Sequence, residues 1–450
     1  MTPENSPSVP GQGRQGLTVA SLLLLSTIAL FLGFYRNEWQ VVREKKFKEF
    51  QLDSESLVVA RMVQSRQAGI LSDNGLLGWG DANPLDLNES DYAHQYQVYL
   101  SDGTFQSYAL YKSVSGFQAM LFGALDRISP FPPAVNLRNF RALMALLLAL
   151  TLSIFVLWAK LEFGWPTALL ALVSTVLSQW ITLFGHNLFY FISASFLPLV
   201  SMLMYLRWEQ KNARVSDLRL ALVGFGTILF KCLMNGYDFI IPALSMPAIP
   251  LVYYGFRDGW RLRTFLKRLT ILGVALAAAA LISILILALQ LQTSERGFGS
   301  GLASVIGTFS RRTYADPSLF PLYAESLTAN PWSVLWTYIA DDSAVELLGL
   351  RFLDMIGILA AVTVIHVAVD RFLGRSLPHR AKDYALIATT WLSILSPVSW
   401  FLIFKGQAYV HTHTNYLAWH MPFMLFAYLS FGFIVHSTVK ALWPWRSRSA

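Results

Sequence analysis

The apolar residues of this chain lie in long, nearly continuous blocks, and this pattern limits the fold more than any other feature of the sequence. Of the 450 residues, 54% are hydrophobic and only 14% are charged. A segment inside a bilayer must have its backbone hydrogen bonds satisfied, so only helices and closed barrels cross it. The blocks lack the alternating pattern of barrel strands. The sequence therefore predicts an all-α, polytopic integral membrane protein.

Ten blocks have the length of a membrane-crossing helix. The predicted spans are residues 17–35, 140–160, 166–184, 189–206, 218–235, 239–254, 269–292, 350–369, 384–404 and 418–437. No small-residue cleavage site follows the first block, which we interpret as an uncleaved span. The membrane domain then covers residues 17–437 and contains long polar regions at 36–139 and 293–346, with a disordered segment at 1–16 and a tail at 438–450.

The basic residues of the short loops predict the orientation. Clusters of Arg and Lys follow the fourth, sixth, eighth and tenth spans, all on one side of the predicted topology. This side is cytoplasmic by the positive-inside rule, so both termini lie inside and both long polar regions are extracytoplasmic. The same clusters explain the net charge of +8 without nucleic-acid binding. Arg43, Lys45, Lys46 and Lys48 conflict with this orientation, but long loops are translocated largely regardless of charge.

The segment at residues 50–66, in the first extracytoplasmic loop, combines a helical pattern with two carboxylates. Its apolar residues recur at helical spacing and predict an interfacial helix that lies against the membrane, with Arg61 on its polar surface. Asp53 and Glu55 begin this helix. They are either the solvated N-terminus that carboxylates favour, or they include a general base. Because residues two apart point to different faces, only one need face a cavity, and we favour Asp53.

Ionisable and amide side chains concentrate at the predicted outer ends of the spans, where they are costly and indicate functional sites. They are His186, Asn187, Lys231, Asn235, Asp238, Arg351, Asp354, His411, His413 and Asn415. We predict that they surround one polar cavity. The Lys231 ammonium needs an anionic partner, either Asp238 or a bound phosphate. His411 and His413 are either metal ligands or partners of water or a substrate hydroxyl.

The second polar region carries Arg296, Arg311 and Arg312 around a glycine-rich run at 297–301. This run is not a dinucleotide fingerprint, because no strand precedes it. It is either a flexible, cationic lid or a solvated loop. The single cysteine, Cys232, excludes an internal disulfide. The Trp, Tyr and Phe residues near the span ends are interpreted as interface anchors.

This pattern resembles the GT-C superfamily of membrane glycosyltransferases, which includes protein O-mannosyltransferases and the lipid A aminoarabinose transferase. The resemblance covers mainly residues 17–206. It is carried by Asp53 and Glu55, then Ala60-Arg61, the stretch Tyr111-Lys112-Ser113-Val114-Ser115-Gly116-Phe117-Gln118, Arg141, and the turn His186-Asn187-Leu188-Phe189-Tyr190. In many relatives the two acidic residues are adjacent, whereas here Ser54 separates them.

The resemblance implies that a single sugar passes from a polyprenyl-phosphate donor to an extracytoplasmic lipid, polysaccharide or protein acceptor, in the periplasm of a bacterium. It implies an acidic general base, Asp53 or Glu55. The implied phosphate ligands are Lys231, Arg61, Arg311 and Arg312. The implied sugar or acceptor ligands are Tyr111, Lys112, Gln118, His186, Asn187, Asn235, Asp238, His411 and Asn415. A divalent metal is compatible with this chemistry and is not required by it.

Three other functions fit a chain of this kind. A secondary transporter or lipid-linked sugar flippase would carry internal repeats and broken helices; no repeat is evident, and the long first loop makes the halves unequal. An O-antigen polymerase or ligase would place its key residues in a large late loop, whereas the acidic pair here is early. A structural or assembly subunit would need neither carboxylate.

Overall fold

The structure is a computed structural model that describes residues 12–84, 86–372 and 380–442. Its first part contains the helices α1 (Gln12–Arg36), α2 (Glu44–Glu49), α3 (Leu52–Ala68), α4 (Glu89–Leu100), α5 (Phe117–Ile128) and α6 (Pro133–Phe163). Two short strands lie among them, β1 (Leu77–Gly80) and β2 (Tyr108–Tyr111), which pair antiparallel with Leu77 opposite Tyr111. The long helices α1 and α6 pack against each other, and the short helices and the small hairpin lie between them in the sequence.

The rest of the described chain is also largely helical. Its helices are α7 (Trp165–Val176), α8 (Gln179–Phe184), α9 (Ile192–Asn212), α10 (Asp217–Asn235), α11 (Ile240–Ser245), α12 (Ala248–Arg257), α13 (Leu262–Leu291), α14 (Phe298–Arg312), α15 (Ala324–Thr328), α16 (Pro331–Ala340), α17 (Phe352–Phe372), α18 (Arg380–Ser393), α19 (Leu395–Ile403), α20 (Lys405–Val410) and α21 (Phe423–Leu442). A second hairpin pairs β3 (Val345–Leu347) with β4 (Leu350–Arg351). The prediction of an all-α membrane-type chain is confirmed, apart from these two small hairpins.

Within the described ranges, five helical segments have the length and apolar composition needed to cross a membrane. They are Val19–Arg36, Pro133–Phe163, Leu262–Leu291, Phe352–Phe372 and Ala381–Ile403. Shorter apolar helices occupy Trp165–Val176 and Phe423–Val439. Each of the ten predicted spans overlaps one or two helices, but the count of ten crossings stays a prediction.

Several predicted spans are broken rather than continuous. The span at 166–184 is divided between α7 and α8, where the Ser178 hydroxyl caps α8 by accepting a hydrogen bond from the Ile181 amide at 3.3 Å. The span at 239–254 is divided between α11 and α12 at Pro247, which has no backbone N–H to continue a helix. Hydrophobicity alone does not reveal such breaks, because the flanking residues on both sides are equally apolar.

One end of the bundle is fastened by a buried carboxylate. Glu162 of α6, whose side chain is 2% exposed, pairs with Arg207 of α9 at 2.6 Å, with Arg257 of α12 and with Lys382 of α18 at 3.4 Å. Residues from three of the four predicted cytoplasmic basic clusters therefore meet at the same end of the bundle.

The predicted interfacial helix is wrong in its placement. α3 begins at Leu52 as expected, but Leu57, Val58 and Met62 are at most 3% exposed, and the helix packs against α4, α5 and β1 inside the protein. Arg61, expected on the polar surface, is fully buried. The apolar pattern covers most of the helix circumference because α3 is enclosed by other elements rather than by one membrane surface.

Two further expectations need correction. The glycine-rich run at 297–301 is neither a lid nor a loop, since α14 begins at Phe298 and a Cβ on Gly301 would lie 2.6 Å from the Ala288 carbonyl of α13. The segment predicted to be disordered at 1–16 overlaps α1, which begins at Gln12; residues 1–11 lie outside the described chain. α21 extends past the predicted end at 437 to Leu442, and the rest of the predicted tail, 443–450, is also outside it.

Candidate active site

A cavity of about 220 Å³ with a mixed polar and aromatic lining lies at the end of the bundle opposite Glu162. Its lining comes from separate stretches of the chain: Asp53 of α3, Tyr92 of α4, Tyr111 of β2, Asp238 after α10, Arg312 at the end of α14, and His411 and Asn415 after α20. Six of the sequence-predicted site residues, Asp53, Tyr111, Asp238, Arg312, His411 and Asn415, are thus brought together. We call this space the inner cavity.

A wider space of about 990 Å³, the outer cavity, adjoins it. Gln51, Asp53 and Tyr92 line both spaces. Its other charged lining residues are Arg43, Lys45, Lys46, Glu49, Glu89 and, when protonated, His413. Three of the four cations that conflicted with the predicted orientation therefore line a cavity beside Asp53, where three carboxylates balance them.

Asp53 and Glu55 have different surroundings. The half-buried Asp53 side chain faces both cavities, and no hydrogen bond or ion pair to its carboxylate occurs within the described chain. Glu55 is 1% exposed and lines neither cavity. Its carboxylate accepts hydrogen bonds from Arg141 Nε at 2.8 Å and from the Tyr96 hydroxyl at 3.2 Å. Asp53 is therefore the carboxylate that remains able to take a proton from a ligand, because the Glu55 carboxylate is already paired with Arg141 and Tyr96.

The start of α3 is held in place from the turn before α9. Gln51, just before the helix, has a left-handed φ of 57°, which is costly for a residue other than glycine. The Asn187 side chain donates to the Gln51 carbonyl at 3.2 Å, and the Tyr190 hydroxyl donates to its side-chain oxygen at 2.8 Å. Asn187 thus lies outside the cavities and positions the strained residue two before Asp53.

The cation nearest the inner cavity is already paired with a carboxylate. Arg312 Nη1 lies 3.4 Å from Asp238 Oδ1, and both side chains are mostly buried. Arg311 points differently, toward the Tyr323 hydroxyl at 3.3 Å and the Ser113 hydroxyl at 3.5 Å. Arg312 lines the inner cavity and can contact a ligand there, whereas Arg311 does not line it and contacts Tyr323 and Ser113 instead.

Burial determines the protonation of the cavity histidines. It lowers the pKa of His411 below its ordinary value, and it lowers that of His413 as well, despite the nearby Asp53 charge. Both rings are consequently neutral near pH 7, so each offers one donor and one acceptor nitrogen. The pKa of Tyr92 is raised instead, mainly by burial and to a smaller extent by the Asp53 carboxylate. The Tyr92 hydroxyl keeps its proton beside Asp53.

Two predicted phosphate ligands are sealed inside the protein. The Lys231 ammonium donates to the backbone carbonyls of Gly236 at 2.8 Å and Asp238 at 2.5 Å, so its partners are neither the Asp238 carboxylate nor a phosphate. Arg61 donates to the Ile70 carbonyl at 2.6 Å and is fully buried. Lys231 closes the broken end of α10, and Arg61 fastens α3 to the chain that follows it.

The remaining predicted ligands also line neither cavity. Lys112 pairs with Glu295 at 2.7 Å, and the Gln118 amide donates to the Phe189 carbonyl at 3.4 Å. His186 faces the Phe34 carbonyl at 3.2 Å, and since a carbonyl only accepts, Nδ1 carries the proton. Asn235 donates to the Tyr190 carbonyl. These side chains hold the walls of the site together.

The sequence prediction missed an aromatic wall. Trp79, Tyr92, Phe189, Tyr190 and Trp400 line the inner cavity together with the predicted Tyr111. Trp79 lies edge-on to Tyr111 with the ring centroids 5.5 Å apart. Pockets that combine aromatic faces with a few polar groups are typical of small-ligand sites. Aromatic residues near span ends have the same sequence signal whether they anchor a membrane interface or line a pocket, so the sequence did not distinguish this group.

A second buried cluster has the residue types of a hydrolase triad without its geometry. His420 Nε2 lies 3.1 Å from the Ser178 hydroxyl and 2.8 Å from Glu346 Oε1. A relay needs the nucleophile and the carboxylate on different ring nitrogens, whereas here both share Nε2. The Tyr428 hydroxyl also donates to Glu346, at 2.9 Å. The cluster ties α8, β3 and α21 together.

The sequence predicts that His411 and His413 are either metal ligands or partners of water or a substrate hydroxyl. His411 and His413 are near neighbours, with ring centroids 6.2 Å apart, but they line different cavities. Among residues 12–84, 86–372 and 380–442, no group of three or more His, Cys, Asp or Glu side chains is arranged to hold a metal ion.

Neither a family model, nor a curated protein, nor a solved structure matches this chain.

Proposed function

We propose that this protein is a glycosyltransferase that moves one sugar from a polyprenyl-phosphate donor to an acceptor hydroxyl, with Asp53 as the general base. The observation that carries the proposal is the Asp53 carboxylate, which has no partner within the described chain and lies at the boundary between two cavities. The aromatic and polar lining of the inner cavity suits a sugar. Asp53 lies in the stretch that carries the resemblance to the GT-C superfamily.

The proposed membrane arrangement follows from the loop charges and from the position of the site. The chain crosses the cytoplasmic membrane of a bacterium ten times, with both termini inside. The Glu162 end then faces the cytoplasm, and Asp53 faces the periplasm. A donor carried by a lipid reaches such a site from within the bilayer, and no nucleotide is needed there.

The chemical step needs a base on one side and a cation for the leaving group. The Asp53 carboxylate takes the proton of the acceptor hydroxyl as that oxygen forms a bond to the anomeric carbon. The bond between the anomeric carbon and the phosphate oxygen breaks, and its electron pair stays on the phosphate. Asp53 later returns its proton to water. Fixed cations favour the charge that grows on the leaving phosphate.

Two groups of cations are placed to meet that phosphate. Arg312 lines the inner cavity and pairs with Asp238 at 3.4 Å. Arg43, Lys45 and Lys46 line the outer cavity. Lys231 and Arg61, which the resemblance implied, are occupied by backbone carbonyls and are not part of this proposal. Asn415, His411 and the aromatic wall are proposed to bind the sugar.

The test uses the full chain in proteoliposomes with radiolabelled undecaprenyl-phosphate sugars and an envelope extract as acceptor. The parent protein should transfer label from one donor, and Asp53→Asn should lose the transfer. Asp86→Asn is the matched control, since Asp86 is an exposed carboxylate in the same loop and lines neither cavity. Equal transfer by Asp53→Asn and the parent would overturn the proposed base. Products longer than one sugar would instead indicate a polymerase or ligase.

A transporter is the second candidate, and the broken helices favour it. α7 and α8, and α11 and α12, interrupt predicted spans, and such discontinuous helices are typical of secondary transporters. Uptake of an undecaprenyl-phosphate sugar into vesicles without a covalent product would support this function. Formation of a labelled product that requires Asp53 would exclude it as the main activity.

A further inference from the structure

An apolar groove of about 490 Å³ lies between α7, α17 and α21, away from both cavities. Leu359 and Met424 form a buried floor, whereas Val173 and Ile358 on its walls are 54% and 41% exposed. α17 has the length and composition of a membrane span, and the other two helices are apolar as well. In a bilayer the occupant of a groove on such helices is a hydrocarbon chain, because water is excluded there.

One end of this groove is bordered by the β3–β4 hairpin and by the residues that precede Trp180. Leu177, directly after α7, lines the groove, and Trp180 follows three residues later. Trp180 is 2% exposed, and its indole nitrogen donates to the Val345 carbonyl of β3 at 2.9 Å. Leu348, at the turn of the same hairpin, lines the groove and is 80% exposed. Trp180 therefore lies between the hairpin that borders the groove and Lys46 of the outer cavity.

A cation lies at this junction. The Lys46 ammonium is 4.8 Å from the centroid of the Trp180 ring, and Lys46 lines the outer cavity together with Asp53. No carboxylate lies within ion-pair distance of Lys46 in the described ranges, whereas Lys48 on the same helix pairs with Glu44 at 2.9 Å. An anionic group at the end of an apolar chain would find its counter-charge at Lys46.

We propose that the groove between α7, α17 and α21 binds the isoprenoid chain of a lipid phosphate, and that Lys46 holds the phosphate beside Trp180. The sugar then extends from the phosphate toward Asp53. This inference rests on the proposed function and deepens it, because it gives the donor lipid a location and selects the outer cation over Arg312. The groove supplies the apolar area, and the cation discriminates charged from uncharged polyisoprenoids.

The location is tested by photo-crosslinking with a diazirine-bearing polyprenyl phosphate and the full chain in nanodiscs, followed by mass spectrometry. Crosslinks should map to α7, α17 and α21, and unlabelled undecaprenyl phosphate should compete them away. Crosslinks confined to α13, which is equally apolar, would overturn the proposal. Equal competition by phosphatidic acid would also overturn it, because the groove would then hold ordinary membrane lipid.

Two pairs of variants test the chain and the phosphate separately. Val173→Trp should fill the groove and weaken crosslinking about tenfold, the effect of roughly 1.4 kcal/mol. Its control is Val274→Trp on α13, where Val274 is 65% exposed and lines none of the cavities described above. Lys46→Gln should weaken crosslinking of the phosphate probe and leave an uncharged polyprenol probe unchanged, and Lys48→Gln is its control. Parent-like crosslinking by Val173→Trp or by Lys46→Gln would contradict the corresponding part of the proposal.

The failure of this inference can be told from failure of the proposed function. The crosslinks of Asp53→Asn should map to the same helices α7, α17 and α21 as in the parent, because Asp53 does not line the groove. Groove crosslinks in a protein that transfers no sugar from any donor would leave the lipid site standing and overturn the glycosyltransferase. Sugar transfer that requires Asp53, with crosslinks elsewhere, would do the reverse.

Discussion

The two carboxylates at the start of α3 should respond in opposite ways to removal of their charge. Asp53→Asn removes a carboxylate that has no hydrogen-bond or ion-pair partner within the described residues, so it should abolish sugar transfer and leave stability close to that of the parent. Glu55→Gln removes the partner of Arg141 from a site where Glu55 is 1% exposed. It should destabilise the protein.

The size of the second effect follows from the contacts of Glu55. Its carboxylate accepts hydrogen bonds from Arg141 through two guanidinium nitrogens, from the Tyr96 hydroxyl, and from the Leu188 amide at 3.3 Å. Breaking a buried ion pair costs about 3–5 kcal/mol, because the other charge stays buried without a partner. The Arg141 side chain is 27% exposed, so solvent recovers part of this energy. We expect a loss of about 2–4 kcal/mol.

The assay follows thermal unfolding in nanodiscs through tryptophan fluorescence, alongside sugar transfer at a temperature where every variant is folded. Glu55→Gln should unfold at a clearly lower temperature, and Asp53→Asn should not. The double variant Glu55→Gln with Arg141→Gln should recover part of the loss, because it removes the stranded guanidinium.

A contrary result would be equally clear. If Glu55→Gln unfolds like the parent but transfers no sugar, Glu55 is the base and the assignment to Asp53 is wrong. If the double variant is no more stable than Glu55→Gln, the ion pair is not the source of the effect.

Three other measurements check the fold and the topology. Burial lowers the pKa of His186 to about 4, so the unfolded chain binds this proton before the folded protein does as the pH falls, and up to about 3 kcal/mol of stability should be lost between pH 6.5 and 4. The stability of His186→Gln should depend less on pH in this range. An unchanged dependence of stability on pH would contradict this assignment. Glu162→Gln removes the carboxylate that pairs with the mostly buried Arg207 and Arg257, although Arg257 keeps Asp258 at 2.8 Å, and it should lower stability by about 3 kcal/mol in the same unfolding assay. Parent-like unfolding would show that the ion pairs of Glu162 are dispensable. Thiols introduced at two exposed positions by Ser101→Cys and Asn212→Cys should react with a membrane-impermeant reagent from opposite sides of the membrane, and the buried Cys232 should not react. Labelling of both thiols from the same side would refute the topology.

The fold class could be predicted because it depends on an additive property of the chain. Helices α1, α6 and α13 follow from apolar runs long enough to satisfy their own backbone inside a bilayer. The breaks between α7 and α8 and between α11 and α12 could not be predicted in this way. A break depends on a capping hydroxyl such as Ser178 or a proline such as Pro247, and both residue types also occur within unbroken membrane helices.

For the candidate site, too, one part could be predicted from the sequence and another part could not. The sequence by itself placed Asp53 and Glu55 on different faces of one helix, because helical geometry separates residues two apart. It could not determine which face would be closed. The tertiary structure decided this by bringing Arg141 onto Glu55 from a position 86 residues away.

The partner of Lys231 also could not be predicted from the sequence. Its sequence context demanded a partner, and the sequence offered Asp238 or a phosphate. The fold supplied two backbone carbonyls instead, which the broken end of α10 left free. Composition and periodicity thus determined that this chain is a helical membrane protein with polar groups at one end. Only the packing of distant segments determined which of those groups face a ligand, because hydrogen-bond partners are chosen by distance in space rather than along the chain.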